Sequence, residues 1–293
     1  MKALIVGLGI GTLYLKVLKE LGWEVVTVDS DSTKNADYHD IKHVLDQEFD
    51  LSYIGTPNFT HEELARIVAN ISRIVLIEKP GVINSNAWIR LIEDFPHTRF
   101  SMVKNNQYRK EMENFKKLYS ECSHAVVCWN RKNCIPNPGS WFTTKSKAFG
   151  GVSRDLLPHM LSYYTALDDF EKGETLFANS EQHHSLESIT DTEYGVIDRT
   201  GTYDVDDFCE LLIRNRKYNW LFVCDWKSNQ EDDSSITFVI PGQENRIAFE
   251  LGWCPEYAYK NMIEDLVSNL NNDDFWINQN KQDIFIHKQI EAL

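Results

Sequence analysis

Apolar positions in the first hundred residues fall into short runs separated by amphipathic stretches. Lys2 to Val6, Glu24 to Val28, Leu51 to Gly55 and Arg73 to Ile77 are too short for helices and carry β-branched residues, as buried parallel strands do. Between them the apolar residues recur at helical spacing, first Leu13, Val17, Leu18 and Leu21, then Leu64, Ile67, Val68 and Ile71 in a helix from about Thr60 to Asn70. A reduced helix is expected around Ile41 to Leu45, another helix near Asn86 to Asp94, and a fifth strand over Phe100 to Lys104. Strands alternating with helices predict an α/β fold, a doubly wound parallel sheet with right-handed crossovers.

Past Lys104 the pattern changes. Gln107 to Ser120 reads as one helix and His124 to Trp129 as a strand. Asp207 to Ile213, Asn219 to Asp225, Ser235 to Ile240 and Arg246 to Leu251 lie between polar turns such as Arg214-Asn215-Arg216 and Pro241-Gly242. They predict antiparallel strands. Tyr257 to Leu270 and Ile284 to Leu293 are expected to close this second domain as helices, so the division is 1–105 and 106–293. Six of the eight tryptophans lie beyond residue 120, which gives the second domain a large aromatic surface to bury.

Composition narrows the partners. With 42% hydrophobic and 25% charged residues the 293-residue chain is ordinary globular protein, and a formal charge of -14 argues against nucleic acid, which is bound through clustered cations. Met1-Lys2 and the apolar run behind it imitate a signal peptide, but Gly7, Gly9 and Gly11 interrupt the run and no small-residue cleavage site follows. No stretch approaches the roughly 20 apolar residues of a membrane span. A cytoplasmic protein without membrane partners is expected. The six cysteines, Cys122, Cys128, Cys134, Cys209, Cys224 and Cys254, form no C-x-x-C pair and have no histidine at metal spacing, so they read as buried free thiols and no metal is expected.

The candidate chemistry sits at strand ends. Gly7-Leu8-Gly9-Ile10-Gly11-Thr12 joins the first strand to the first helix, where glycines allow close approach of a pyrophosphate and the helix amino terminus favours its charge. Asp29, 20 positions after Gly9, ends the second strand where a carboxylate can accept from ribose hydroxyls. A 2′-phosphate would meet like charge there, which favours NAD over NADP. The third glycine of G-x-G-x-x-G is replaced by Thr12, with Gly11 as an additional glycine. His39 and His43, four apart without an intervening glutamate, read as solvent-facing. Glu78-Lys79-Pro80 follows the fourth strand, so Lys79 faces the crevice outside the strand carboxyl ends. Asp155 and His159, four apart and flanking Pro158, are expected on one helical face, with Asp155 near the helix amino terminus. Hydride exchange with a secondary alcohol needs a proton acceptor and a positive charge near the oxygen. His159 suits the first role, Lys79 the second, and Asp155 an orienting one.

Gly7-Leu8-Gly9, Thr56-Pro57-Asn58-Phe59-Thr60-His61 with Ala65 behind it, and Glu78-Lys79-Pro80 resemble, in order and spacing, the signatures of the Gfo/Idh/MocA oxidoreductases, the glucose-fructose oxidoreductase and inositol dehydrogenase family. Gly150-Gly151-Val152-Ser153-Arg154-Asp155-Leu156-Leu157-Pro158-His159 is similar to that family's G-G-x-x-x-D-x-x-x-H segment. The resemblance implies an N-terminal Rossmann domain and a C-terminal α+β domain whose open, mostly antiparallel sheet makes homodimers or homotetramers. It implies an NAD(P)-dependent oxidoreductase acting on a hydroxyl or keto carbon of a sugar, polyol or sugar derivative. Cofactor contacts then fall on Gly7, Gly9, Ile10, Gly11, Thr12, Asp29, Thr56, Pro57, Asn58, His61, Glu78 and Lys79, and the family's catalytic lysine, aspartate and histidine map onto Lys79, Asp155 and His159. Leu157 stands where glycine is common in the family and Ser162 where aspartate is frequent. Asn106, Tyr108 and Arg109, with Trp141, Lys145 and Lys147 in the Pro/Gly loop before Gly150, are candidates for the substrate side. Two alternatives stand beside this reading: a non-catalytic, dinucleotide-binding regulator of the same fold, and a reductase of a non-sugar substrate such as a bilin or dihydrodiol.

Overall fold

The computed structural model describes residues 1–132, 135–216, 218–228, 231–242 and 246–293, and Cys134 lies outside them. The chain divides into two compact units, Met1–Tyr108 with Pro255–Ile284, and Arg109–Cys254 with Phe285–Leu293.

In the first unit β1 (Lys2–Val6) leads through the glycine turn to α1 (Gly11–Glu20) and β2 (Glu24–Val28). A 3-10 turn at Ile41–Val44, capped by the Asp40 carboxylate on the Lys42 N–H, stands in for the next helix before β3 (Phe49–Ile54). Then come α2 (His61–Ala69), β4 (Ser72–Ile77), α3 (Ser85–Asp94) and β5 (Arg99–Met102). All the pairings are parallel, in the order β2-β1-β3-β4-β5, which is the expected doubly wound sheet. Helices cover both faces of such a sheet, and Ala3, Leu4, Ile5, Leu51, Tyr53, Ile54, Val75, Leu76 and Ile77 have no exposed surface.

The second unit holds α4 (Met112–Tyr119), β6 (His124–Asn130), the short helices α5 (Lys145–Ala148) and α6 (Val152–Asp155), and α7 (Leu157–Leu167). Four strands follow in a row, β7 (Glu174–Glu181), β8 (Phe208–Asn215), β9 (Tyr218–Asp225) and β10 (Asp233–Val239), and then β11 (Ile247–Glu250). The sheet order is β11-β10-β6-β9-β8-β7, antiparallel throughout except for β6 beside β9. One face, with Ala125, Val127, Cys209, Leu211, Ile213, Trp220, Phe222, Cys224, Ile236 and Phe238, is buried. Rings from the helices pack there, Tyr164 against Trp220 at 5.4 Å and Phe115 against Phe238 at 5.7 Å. Residues of opposite parity, such as Val126, Cys128, Leu212, Leu221 and Val223, are half-buried.

Several elements differ from expectation. The segment expected as one helix over Gln107 to Ser120 is a 3-10 turn at Asn105–Tyr108 followed by α4, because its apolar spacing begins only at Met112, while Asn105, Asn106 and Arg109 are buried polar residues. The strand β7 has no counterpart among the expected elements. Its sequence, Glu-Thr-Leu-Phe-Ala-Asn-Ser-Glu, does not alternate, and as an edge strand with a register shift between Thr175 and Phe177 it buries no residue fully. The last two helices are α8 (Glu256–Ser268) and α9 (Asp273–Glu291). Helix α8, expected to close the second domain, belongs to the first unit: Met262, Ile263 and Leu266 join the core formed by Tyr14, Val17, Leu18 and Tyr53. The division of the units falls inside α9, whose first part groups with the first unit and whose last residues group with the second.

Candidate functional site

The glycine turn has the form a pyrophosphate site needs. Gly7 has φ +94, and a Cβ there would lie 2.6 Å from the Gly55 carbonyl oxygen, so the turn is open only to glycine. A Cβ at Gly9 would meet nothing within 4 Å, which leaves that backbone bare toward solvent. At Gly11 a Cβ would come 3.0 Å from Ile5 Cγ2. The close helix–strand packing that the third glycine of the pattern provides is therefore met at Gly11, and Thr12 is free to differ; its hydroxyl donates back to the Gly9 carbonyl at 3.0 Å. No side chain caps α1 at Ile10, and its Thr12 and Leu13 N–H groups turn back to the Gly9 and Ile10 carbonyls at 3.3 and 3.0 Å. The Asp29 carboxylate accepts from the Leu8 N–H at 2.7 Å and from the Asp31 N–H at 2.9 Å. It thus fastens the glycine turn to the end of β2 and keeps further lone pairs for ribose hydroxyls. The exposed His39 also approaches this strand end, its Nδ1 lying 2.8 Å from the Asp29 carbonyl. These residues fit a dinucleotide.

The ends of β3 and β4 form the next part of the same crevice. Thr56, Pro57 and Asn58 are half-buried, and the Thr56 and Thr60 hydroxyls bond at 2.6 Å. His61 is fully buried, with Nε2 2.7 Å from the Thr56 carbonyl and Nδ1 2.7 Å from the Gly81 carbonyl. Burial lowers its pKa, and the imidazole ties the loop after β3 to the loop after β4. Its place is therefore behind the crevice wall, where it sets the loops that carry Thr56 and Lys79. Glu78 also turns inward: one oxygen accepts from Tyr53 at 3.0 Å and Tyr14 at 3.3 Å, the other from the Lys79 N–H at 3.2 Å. Burial raises its pKa, opposed by the Lys79 ammonium and by the two tyrosine hydroxyls, whose rings stack at 3.7 Å. Lys79 itself is half-buried, its charge acting on both Glu78 and His61.

In the second unit Gly150-Gly151 wraps a carboxylate. Asp206 Oδ1 accepts from the Gly151 N–H and Oδ2 from the Ser153 N–H, both at 2.8 Å, and its carbonyl accepts from Val152 at 2.9 Å. A Cβ on Gly151 would lie 1.8 Å from that carbonyl oxygen. Asp206 thereby caps α6, a role that its distance in sequence conceals. The expected single helix through Asp155 and His159 is interrupted: Asp155 ends α6 and α7 begins at Leu157, because Pro158 has no N–H to donate to the preceding turn. Leu156 keeps φ -97 and ψ -40, and both side chains remain partly exposed.

Two tryptophans missed by sequence reasoning back this pair. Trp226, just past β9, donates its indole N–H to Asp155 Oδ2 at 3.0 Å, and Trp129 near the end of β6 lies 5.9 Å from the His159 ring. Phe142 packs on Trp226 at 6.3 Å and on Tyr194 at 6.1 Å. Trp141, half-buried, lies against Phe142 at 4.6 Å, at the edge of this aromatic group. Lys145 and Lys147 are exposed, and the Lys145 N–H is tied to Asp204 at 2.6 Å. The other proposed substrate contacts are drawn into their own units: Asn106 is buried, Tyr108 donates to Asp265 at 2.7 Å, and the buried Arg109 donates to the Gly252 carbonyl at 2.5 Å. Among the described residues no cluster of histidine, cysteine and acidic side chains could hold a metal, and no helix is long and apolar enough to cross a membrane.

Residues 1–99 match the family model described as oxidoreductase family, NAD-binding Rossmann fold. A protein of Amycolatopsis mediterranei (strain S699), provisionally named as a UDP-kanosamine synthase oxidoreductase subunit, is 29% identical over 178 residues, 55% of this chain and 49% of that protein. The chain thus spans about half the length of that relative. Among solved structures, GenD2 from gentamicin A biosynthesis, in complex with NAD, superposes with a TM-score of 0.81 at 15% identity, covering 100% of this chain and 92% of its own. KijD10, a 3-ketoreductase from Actinomadura kijaniata in complex with NADP and TDP-benzene, gives 0.77 at 11% identity, covering 100% and 96%. At such identities the structural likeness establishes the fold alone. Over its first 99 residues the chain is thus similar to the Gfo/Idh/MocA oxidoreductases and their NAD-binding Rossmann fold.

Proposed function

We propose that the chain is an NAD-dependent dehydrogenase or reductase acting on a hydroxyl or keto carbon of a sugar, polyol or sugar derivative. The observation that carries this reading is the Asp155 carboxylate, held by the Trp226 indole and adjoined by the aromatic group of Trp226, Phe142 and Tyr194. A sugar ring needs polar acceptors at its edge and apolar cover over its C–H face, and this surface offers both. The dinucleotide, when bound, supplies the hydride acceptor. Gly7 to Thr12, Asp29 and Thr56 to Asn58 hold it, while Glu78 and His61 fix the loop of Lys79 from behind. His159 takes the proton from the substrate hydroxyl, Asp155 orients that hydroxyl, and the Lys79 ammonium stabilises charge developing on the oxygen.

The reading is tested by a screen of sugars, polyols and nucleotide sugars for NADH formation. Turnover that disappears in Lys79→Met, while NADH affinity is kept, supports the assignment; undiminished turnover removes Lys79 from the chemistry. A silent screen with intact NADH binding would favour the regulator instead. Because a 2′-phosphate would meet Asp29, calorimetric titration should show tighter binding of NADH than of NADPH, and the reverse order would overturn the cofactor preference.

A further inference from the structure

We infer that Trp226 is a positioning residue for Asp155, its indole N–H fixing the direction of the carboxylate that the reaction proposed above uses. The inference rests on that reading of Asp155. Trp226 is 1% exposed, so its N–H is shielded on the tryptophan side, and its bond goes to a charged acceptor, which makes it stronger than a neutral one. It follows Asp225, the last residue of β9, and lies 71 positions from Asp155 in sequence.

What makes this contact a built feature is that both partners are fastened to one dipeptide. Asp206 holds the turn of Asp155: its carboxylate accepts from Gly151 and Ser153, and its carbonyl from Val152. Asp207 holds the turn of Trp226, its carbonyl accepting the Trp226 backbone N–H at 2.9 Å. The dipeptide is itself locked, since the fully buried Asp207 carboxylate accepts from the His183 N–H at 2.8 Å, the His184 N–H at 2.9 Å and the Tyr203 hydroxyl at 3.0 Å. The separation of indole and carboxylate is therefore set by backbone bonds on either side. The indole ring is itself buried, with the Phe142 ring, from the turn before α5, centred 6.3 Å away. A carboxylate oxygen that accepts from a buried indole N–H is restricted about χ1 and χ2. Its orientation is the quantity that Trp226 removes from chance.

The test begins without a substrate. In a 1H–15N spectrum of the full chain, the Trp226 indole resonance, assigned by its loss in Trp226→Phe, should shift in Asp155→Asn more than any other tryptophan indole. An unmoved resonance overturns the inference whatever the enzyme does. With a substrate from the sugar screen, Trp226→Phe removes the donor and leaves a smaller aromatic ring in its place. It should lower kcat about ten- to a hundredfold, as loss of a hydrogen bond to a charged group does, with NADH affinity unchanged and KM nearly so. The double variant Trp226→Phe/Asp155→Asn should be no slower than Asp155→Asn alone, because a positioning residue has nothing left to position. Additive losses, or full turnover in Trp226→Phe, would reduce Trp226 to packing. A shifted resonance together with a silent screen would count against the sugar reading and leave the indole–carboxylate contact standing.

Discussion

Gly9, Gly11 and Glu78 each shape the first unit in a different way. Gly9 leaves backbone bare for a ligand, Gly11 lets α1 approach β1, and Glu78 turns a charged side chain into the domain. Of these Glu78 has the clearest energetic consequence. Its folded pKa is raised above the unfolded value, near 4.3 for glutamate, so the ionised form is disfavoured by folding. Stability linked to this group is fully present below the unfolded pKa and is lost as pH rises through the folded one. Glu78→Gln should therefore melt higher than the unaltered chain at pH 8, and the difference should vanish below about pH 4. Thermal melts of the two proteins across that range give the sign directly. A persistent loss of stability in the variant at pH 8 would mean that the bonds from Tyr14, Tyr53 and Lys79 outweigh the burial of charge.

At the scale of elements, α9 is tied to the sheet of the first unit by a buried ion pair. Lys104, 2% exposed, meets Asp283, 0% exposed, and the other Asp283 oxygen accepts the Met102 N–H at 3.1 Å. Burial pushes the Lys104 pKa down and the Asp283 carboxyl up to about 6, each opposed by the other's charge. Two charges removed from water depend on one another. Lys104→Met or Asp283→Asn alone should cost roughly 3–5 kcal/mol in urea unfolding, while Lys104→Met with Asp283→Leu should recover most of it. Equal losses in the single and double variants would show that the pair contributes little beyond packing. The elements themselves were unequally legible in the sequence. Strands β1 and β4 follow from β-branched runs that bury both faces, and β8 and β9 from their alternation. Strand β7 was not legible, since an edge strand with few buried positions has no periodic pattern to read.

For the molecule as a whole, the first unit is discontinuous. Met262, Ile263, Leu266 and Trp276 complete the core that Tyr14, Leu18 and Tyr53 begin. A fragment ending at Tyr108 would expose that core to water, at roughly 25 cal/mol per Å² of apolar surface. It should lack a cooperative thermal transition, whereas the full chain should show one by circular dichroism. A sharp transition in the fragment would mean that α8 is dispensable to the dinucleotide domain.

What the sequence by itself determined was the local chemistry. A short strand, a glycine turn and a helix, Asp29 at its fixed interval, and Lys79 past a strand end follow from periodicity and turn preference, which act over a few residues. The tertiary structure alone decided what those groups touch. Asp206 caps α6 from 55 positions away, Trp226 reaches Asp155 across 71, and α8 returns to the first unit after most of the second unit has intervened. Such contacts join residues that carry no shared pattern. Their geometry exists only when the chain's path brings them together, and so Asp155, singled out by its motif, meets the indole of a tryptophan that no motif includes.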